Sequence, residues 1–192
     1  MDILECIKTR RSIRKFNKRK ISDKVFIELI NFAAMAPSGC NAQPWRFIVV
    51  KNKTTISKLK KAVIKNNPNP VFYNKFCTYH DAPYLIAVCV DLNKRWYHRA
   101  DPTVVGKIED VFDNPDFFSA AAAIQNLLLA ANAFKIGTCW GNTNSCYRRE
   151  QEKILGIEPP LFLAAIIAVG YYDIVPEVPV RKSMKEISSF IS

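Results

Sequence analysis

The chain has 192 residues, a length typical of one domain with its own core, and we expect residues 1–192 to form a single domain. Hydrophobic residues make up 49% and charged residues 23%, which excludes a disordered, collagen-like or coiled-coil chain as a whole. A net charge of +11 predicts an anionic partner: nucleic acid, a membrane surface or a phosphate-bearing small molecule.

The first third of the chain predicts helices and one strand. Asp2 and Glu5 form a variant of the capping box and predict a short helix that runs through Lys8. Residues 22–35 carry one apolar stripe and predict a second helix, which Pro37 ends. A β-branched strand over residues 46–51 and a basic amphipathic helix over residues 54–65 follow.

After a polar loop at 66–74, residues 84–90 predict a second strand. The segment 91–115 has weak periodicity and predicts a long loop with one helical turn, a length typical of lids and binding loops. Asp116 is predicted to cap a buried, nearly all-apolar helix over 118–135, which Gly137 ends. A helix over 147–155 closed by Gly156, and a third strand over 161–170, complete the pattern.

The order of these elements predicts the fold class. Strands do not alternate regularly with helices, which favours a layered α+β fold over a doubly wound one. Neither GxGxxG nor GxxxxGK[ST] occurs, so the Rossmann and P-loop phosphate sites are not expected. The last 20 residues are broken by Pro176 and Pro179 but are apolar, so we expect them to dock on another surface.

The ends and the cysteines predict the compartment. The N-terminus lacks the apolar core of an export signal, and the most apolar run, 161–169, is far shorter than the roughly 20 residues of a membrane span. We therefore expect a soluble cytoplasmic protein that does not enter a membrane. The six cysteines form no CxxC pair and no zinc-like spacing, so reduced thiols and no metal site are expected.

A first cluster with chemical potential is RRSIRK at 10–15. Three arginines and Ser12 lie within five residues, and guanidinium groups bind phosphate with two parallel hydrogen bonds. A solvated basic face is the alternative. The apolar Ile13 and Phe16 favour a segment that is anchored in the fold.

Three further clusters carry polar or flexible residues. The loop 36–45 holds Ser, Asn and Gln between two prolines, a mixture of donors and acceptors that suits a heteroaromatic ring, although a plain helix-to-strand turn fits equally. Residues 136–141 contain two glycines, which permit close approach of a ligand or simply cap a helix before a short strand. Arg181 and Lys182 form another candidate phosphate pair.

Together these clusters resemble the flavin-dependent nitroreductase family, whose members are FMN enzymes supplied by NADH or NADPH. The resemblance implies an α+β three-layer sandwich with a mostly antiparallel central sheet flanked by helices. It also implies an intertwined homodimer with FMN in the subunit interface and a C-terminal segment that reaches its partner. It rests on RRSIRKF at 10–16, APSGCNAQPWRFIVV at 36–50, DAPYLIAVCVD at 81–91, AIQNLLLAANAFKIGTCW at 123–140, AAIIAVGYYD at 164–173 and RK at 181–182.

The resemblance also implies roles for individual residues. Arg10, Arg11 and Ser12 would hold the FMN phosphate and ribityl chain, helped by Arg181 or Lys182. Arg14 would lie near flavin N1 and the C2 carbonyl, where a cation stabilises the negative charge of the reduced ring. The remaining members of the site would be a loop from the partner subunit (Pro37, Ser38, Gly39 and Asn41, with Gln43 holding that loop) and the backbone near N5 and O4 (Gly137 and Thr138).

The chain departs from the family pattern at three places. Gly39 and Cys40 replace a common Ser-Thr pair, and a thiol at Cys40 would lie near the flavin. Asn74 or Lys75 would stand for an Asn and a Lys that some members use. The usual Gly-Leu-Gly motif keeps one glycine, Gly137.

The implied activity is hydride transfer from NAD(P)H through flavin N5 to a small flat acceptor such as a nitroaromatic or a quinone, with ping-pong kinetics. No catalytic side chain is required, and His80 and His98 are interpreted as structural. Residues 96–99 would belong to a lid that selects the substrate. Two alternatives stay open: a flavin-binding sensor or store without turnover, and a basic nucleic-acid-binding protein.

Overall fold

The computed structural model describes residues 2–66, 81–94 and 115–191. Several predictions fall outside these residues. They concern most of the loop at 66–74, most of the segment 91–115 with the proposed lid at 96–99, the candidate residues Asn74 and Lys75, and both histidines, His80 and His98.

The described strands form one four-stranded antiparallel sheet in the order β1-β2-β4-β3. The strands are β1 (Trp45–Val50), β2 (Tyr84–Asp91), β3 (Gly137–Asn142) and β4 (Leu161–Gly170). The predicted strands at 46–51, 84–90 and 161–170 are confirmed. For residues 136–141 the sequence predicted a strand only as one alternative, because the two glycines lower strand propensity. Pairing along β4 outweighs that deficit and forms β3.

The predicted helices are present with small shifts of their ends. They are α1 (Ile3–Thr9), α2 (Asp23–Ala34), α3 (Lys53–Asn66), α4 (Pro115–Ala133), α5 (Ser145–Leu155) and the short α6 (Met184–Ile187). Two 3-10 turns occur at Gly39–Asn41 and Leu92–Lys94. Gly156 adopts φ +66 and closes α5 as predicted.

The sheet is the middle layer of three, because both of its faces are covered. Val88 and Ile167 face a cluster with α2 and α4, which includes Leu29 and Leu127. The alternate residues of the same strands, such as Ala87 and Ile166, face a cluster with α3 and α5 on the other side of the sheet. The α+β three-layer prediction is therefore confirmed, and β2 is buried on both faces as its continuous apolar run implies.

Three predictions about helix ends are wrong. Asp2 precedes α1 as its N-cap but makes no side-chain capping bond. Asp116 lies inside α4 and is buried, because that helix begins one residue earlier, at Pro115. Gly137 does not end α4: Lys135 takes the left-handed conformation there, with φ +59, and the N–H of Ile136 donates to Ala131 O over 2.8 Å.

The C-terminal segment after residue 172 is exposed along its whole described length. Val180, Phe190 and Ile191 have 99%, 94% and 98% of their surface accessible. Among the described residues, none covers this apolar segment, which was expected to dock on another surface. Among the described helices, none is long and apolar enough to span a membrane.

Candidate functional site

A basic cavity of about 330 Å³ lies beside the C-terminus of α1. Its lining comes from the arginine cluster and from the C-terminal segment, which folds over it (Arg10, Arg11, Ser12, Arg14, Pro176, Glu177, Pro179 and Arg181). The structure thus brings together two clusters that are about 170 residues apart in the sequence. Lys182, the second candidate of the C-terminal pair, is exposed and lies outside this cavity.

The arginine cluster is fixed because its backbone joins the edge of the sheet. Ser12 forms a parallel bridge with Thr138 of β3, and the N–H of Ile13 donates to Thr138 O over 2.9 Å. Ile13 is buried, and the N–H of Asn17 donates to Tyr171 O over 2.8 Å. The prediction of an anchored segment is confirmed, and the cluster at 136–141 lies directly against it.

Gly137 has a structural reason to lack a side chain. A Cβ atom at this position would lie 2.7 Å from the ring of Tyr172 and 2.9 Å from Cβ of Ile13. Both distances are shorter than real Cβ contacts, so the glycine is what lets the arginine segment pack against β3. Close approach at Gly137 therefore serves the chain's own packing.

The charges in the basic cavity repel one another. Burial, followed by the positive charges of Arg181 and Arg11, lowers the pKa of Arg10 from its ordinary value. Glu177 is the acidic residue of the lining, and it is exposed. A multivalent anion bound here would relieve this repulsion, and phosphate matches the fork geometry of guanidinium groups.

Arg11 has a second task that the sequence did not reveal. One of its terminal nitrogens, Nη1, donates to the carbonyl oxygens of Lys8 and Arg10, each over 2.8 Å, and so caps the C-terminus of α1. Its Nε is buried and has no hydrogen-bond partner among the described residues. Arg14 is exposed, with Nη1 3.4 Å from Ser12 O, and remains at the rim.

The loop between α2 and β1 (residues 37–44, called the polar loop below) lies elsewhere. It borders a second cavity of about 450 Å³, in which Asn41 and Gln43 join residues of α2, β1 and the end of β2. Among the described residues, the two cavities share no lining residue. Within one chain, the candidate residues of the polar loop are therefore not brought to the arginine cluster.

The polar loop has an unusual backbone. Cys40, Asn41 and Gln43 have φ values of +48, +54 and +46, in the left-handed region that favours glycine, whereas Gly39 beside them does not. Each such residue costs about 1 kcal/mol or more, least for Asn. Hydrogen bonds hold the loop, among them the one from the N–H of Gln43 to Ser38 Oγ, 3.0 Å long.

Comparisons with known proteins agree with the fold and with the motifs. The family model described as "Nitroreductase family" matches residues 7–171, which is most of the chain. The chain belongs to the nitroreductase family. A relative from Archaeoglobus fulgidus, provisionally named NADH dehydrogenase/NAD(P)H nitroreductase, is 31% identical over 87% of this chain and 85% of its own length.

Two solved structures of the same type extend this comparison. A BluB-like flavoprotein from Clostridium difficile 630 is 28% identical, with a TM-score of 0.81 and full coverage of both chains. A nitroreductase-type protein of Desulfovibrio desulfuricans, solved in complex with FMN, is 25% identical with a TM-score of 0.75, over 97% of this chain and 94% of that one. The nitroreductase fold thus extends over the whole chain.

An apolar surface accompanies the nitroreductase fold. Met35 at the end of α2 is 77% exposed, and Ile3 and Phe32 are also exposed. With Phe134 and part of α4 these residues line an open apolar cavity of about 350 Å³. Contiguous exposed apolar surface of this kind is typical of interaction sites and ligand grooves.

Most of the described cysteines are core residues. Cys6, Cys89 and Cys139 are buried, whereas Cys40 and Cys146 are exposed. Burial, and next to it the charge of Glu152, raises the pKa of Cys89 to about 12, so this thiol stays protonated. The described residues contain no group of His, Cys, Asp and Glu able to hold a metal ion.

Proposed function

We propose that this nitroreductase-family chain is an FMN-dependent oxidoreductase that uses NADH or NADPH to reduce a small flat acceptor such as a nitroaromatic or a quinone. The observation that carries this proposal is the basic cavity, where Arg10, Arg11 and Arg181 lie together with Glu177 as the acidic residue named in the lining. The family, the NAD(P)H-related name of the archaeal relative and the FMN bound to the Desulfovibrio protein support it.

The residues of the basic cavity fit the phosphate of FMN. A phosphate dianion offsets the repulsion that lowers the pKa of Arg10, and its oxygens give the buried Nε of Arg11 an acceptor. Ser12 adds a hydroxyl donor from a backbone that is fixed to β3. We therefore assign Arg10, Arg11, Ser12 and Arg181 to the phosphate and its adjoining chain; the exposed Lys182 would act at longer range.

When bound, FMN would supply the hydride-transfer chemistry of its N5 atom. The task of Arg14 would be electrostatic: from the cavity rim its fixed positive charge would stabilise the negative charge of a reduced flavin ring bound nearby. The backbone at Gly137 and Thr138 would present its amide groups to the ring. Because donor and acceptor would use one open site in turn, ping-pong kinetics are expected.

We further propose that the working unit is a homodimer. The candidate residues of the polar loop (Pro37, Ser38, Gly39, Asn41 and Gln43) line or flank a different cavity from the arginines of the same chain. A second copy brings them to the cofactor if the exposed apolar surface around Met35 forms the contact. The exposed C-terminal residues, such as Phe190 and Ile191, would then be covered by the partner.

The experiment is to purify the protein, record its visible absorption and add NADH or NADPH without oxygen. A yellow protein whose flavin bleaches with either donor, and recovers with an added quinone, supports the proposal. A colourless protein that does not take up added FMN contradicts it. Bound flavin that neither donor reduces would instead favour a sensor or store.

A further inference from the structure

We propose that the hydroxyl of Ser38 is a latch that holds the polar loop in its strained conformation. Ser38 is then a positioning residue that acts through the main chain of Gln43. The link from this latch to FMN rests on the proposed function, whereas the latch itself belongs to the chain alone.

The first observation is the placement of the strain. Three of the four residues from Cys40 to Gln43 are left-handed, and none of the three is a glycine. The glycine of this loop, Gly39, lies one residue before the place where its freedom is needed. Local backbone preferences therefore disfavour this conformation of the loop.

The second observation is what opposes that movement. The N–H of Asn41 donates to Ser38 O and that of Ala42 to Gly39 O, both over 3.0 Å, which forms the 3-10 turn. Those bonds end at Ala42. Gln43 is the third left-handed residue, and its N–H donates to Ser38 Oγ. This bond therefore links the beginning of the strained stretch to its end.

The third observation is that packing does not set the shape of the loop. Its two ends are fixed, because Ala36 and Trp45 are buried and pack with Ala123 of α4. Between them Cys40, Asn41 and Gln43 are exposed. Because core contacts do not enforce the left-handed residues, their conformation depends on hydrogen bonds. Two side chains of the loop make such bonds: Gln43 Nε2 donates to Asn41 Oδ1 over 3.2 Å and to Asn41 O over 3.4 Å, and Ser38 Oγ accepts from the main-chain N–H of Gln43. Of these, the Ser38 bond is the one that ties the main chain across the whole strained stretch.

The latch would also affect FMN binding at the proposed site. If the polar loop contacts the cofactor of the partner subunit, only the latched shape is competent, and opening the latch lowers the competent fraction. FMN affinity would fall in proportion. Ser38 then affects FMN without needing to touch it.

The first arm of the test uses the flavin-free protein. Proteinase K cleavage within residues 37–44, mapped by mass spectrometry, reports how often the loop opens. For Ser38→Ala we expect this cleavage to be about tenfold faster, because the variant loses one hydrogen bond. Ser38→Thr should retain the wild-type rate, because it keeps the hydroxyl. The matched control is Ser22→Ala, since Ser22 precedes α2 without a side-chain capping bond. Equal cleavage in wild type and Ser38→Ala overturns the latch.

The second arm separates a latch from direct contact. FMN dissociation constants are measured for wild type, Ser38→Ala, Cys40→Gly and the double variant, as a double-mutant cycle. Glycine at position 40 removes strain at φ +48, so it should restore most of the roughly tenfold affinity that Ser38→Ala loses. If the affinity losses of the two single variants simply add in the double variant, the proposal is overturned, because glycine at position 40 cannot replace a missing contact between Ser38 and FMN. If the wild type binds no FMN, the proposed function fails, while the cleavage arm still decides the latch.

Discussion

The main-chain N–H of Ile13 donates to the carbonyl oxygen of Thr138 over 2.9 Å. This bond attaches the arginine segment that follows α1 to the edge strand β3, and it lies beside the glycine that makes the approach possible. The side chain of Ile13 is buried, while its neighbours Ser12 and Arg14 line the basic cavity. The arginine segment is thus positioned by a buried apolar residue and by backbone bonds to Thr138 and Tyr171.

Gly137 is the first place to test this attachment. We expect Gly137→Ala to destabilise the protein by about 2 kcal/mol, because the added Cβ meets Ile13 and Tyr172 at 2.9 and 2.7 Å. Urea unfolding measures the loss. Gly156→Ala is the control: its Cβ meets nothing within 4 Å, so it should lose only about 1 kcal/mol, from φ +66. Equal losses at the two glycines would argue against the steric account.

Arg14 is expected to tune the cofactor's chemistry more than its binding. Arg14 is exposed at the rim, so Arg14→Ala should change FMN affinity less than Arg10→Ala does. Removing its charge should lower the midpoint potential of the bound flavin and slow reduction by about tenfold. Anaerobic stopped-flow reduction and a redox titration measure both quantities. An unchanged midpoint potential together with a large loss of FMN affinity would indicate that Arg14 binds the phosphate instead.

The exposed apolar surface predicts the oligomeric state. Met35→Glu places a charge on it and should convert a dimer into monomers, measured by light scattering after gel filtration. Because the polar loop would no longer reach the partner's cofactor, FMN affinity should also fall. Ile64→Glu is the matched control, since Ile64 is a half-exposed residue of α3 on the other side of the sheet. A wild type that is monomeric at all concentrations would contradict the dimer.

Cys89 predicts a pH dependence of stability. Its pKa is raised from 9.0 to about 12 by burial, so between these values the folded chain keeps a proton that the unfolded chain has lost. Stability from this group is thus present below pH 9 and is lost as the pH rises, by about 2 kcal/mol at pH 10.5. Urea unfolding at pH 8 and 10.5 should show a smaller decline for Cys89→Ala than for the wild type. Parallel declines would mean that the thiol ionises as readily in the folded chain as in the unfolded one, so that burial does not raise its pKa.

Much of the fold was predictable because its signals are local and redundant. The apolar run at 161–170 coincides with β4, and Gly156 closes α5 as its position indicated. The strand β3 was not firmly predicted, since Gly137 serves packing against Ile13 and Tyr172, a long-range contact that no local preference encodes.

The candidate site was predictable in its chemistry but not in its backbone. The arginines and Ser12 were identified from guanidinium chemistry, and their meeting with Arg181 required the folded chain. No pattern in the sequence indicates that Arg11 caps the C-terminus of α1. Left-handed Cys40 and Gln43 run against residue preference, which would have placed that conformation at Gly39.

The most direct measurement of the central claim compares FMN with riboflavin, which lacks the phosphate, in binding to wild type and Arg10→Ala. If the basic cavity holds the phosphate, the wild type should bind FMN about 100-fold more tightly than riboflavin, from two charge-assisted bonds. Arg10→Ala should lose most of that difference while its riboflavin affinity is unchanged. Equal affinity of the wild type for FMN and riboflavin, or an FMN preference that survives in Arg10→Ala, would contradict the account.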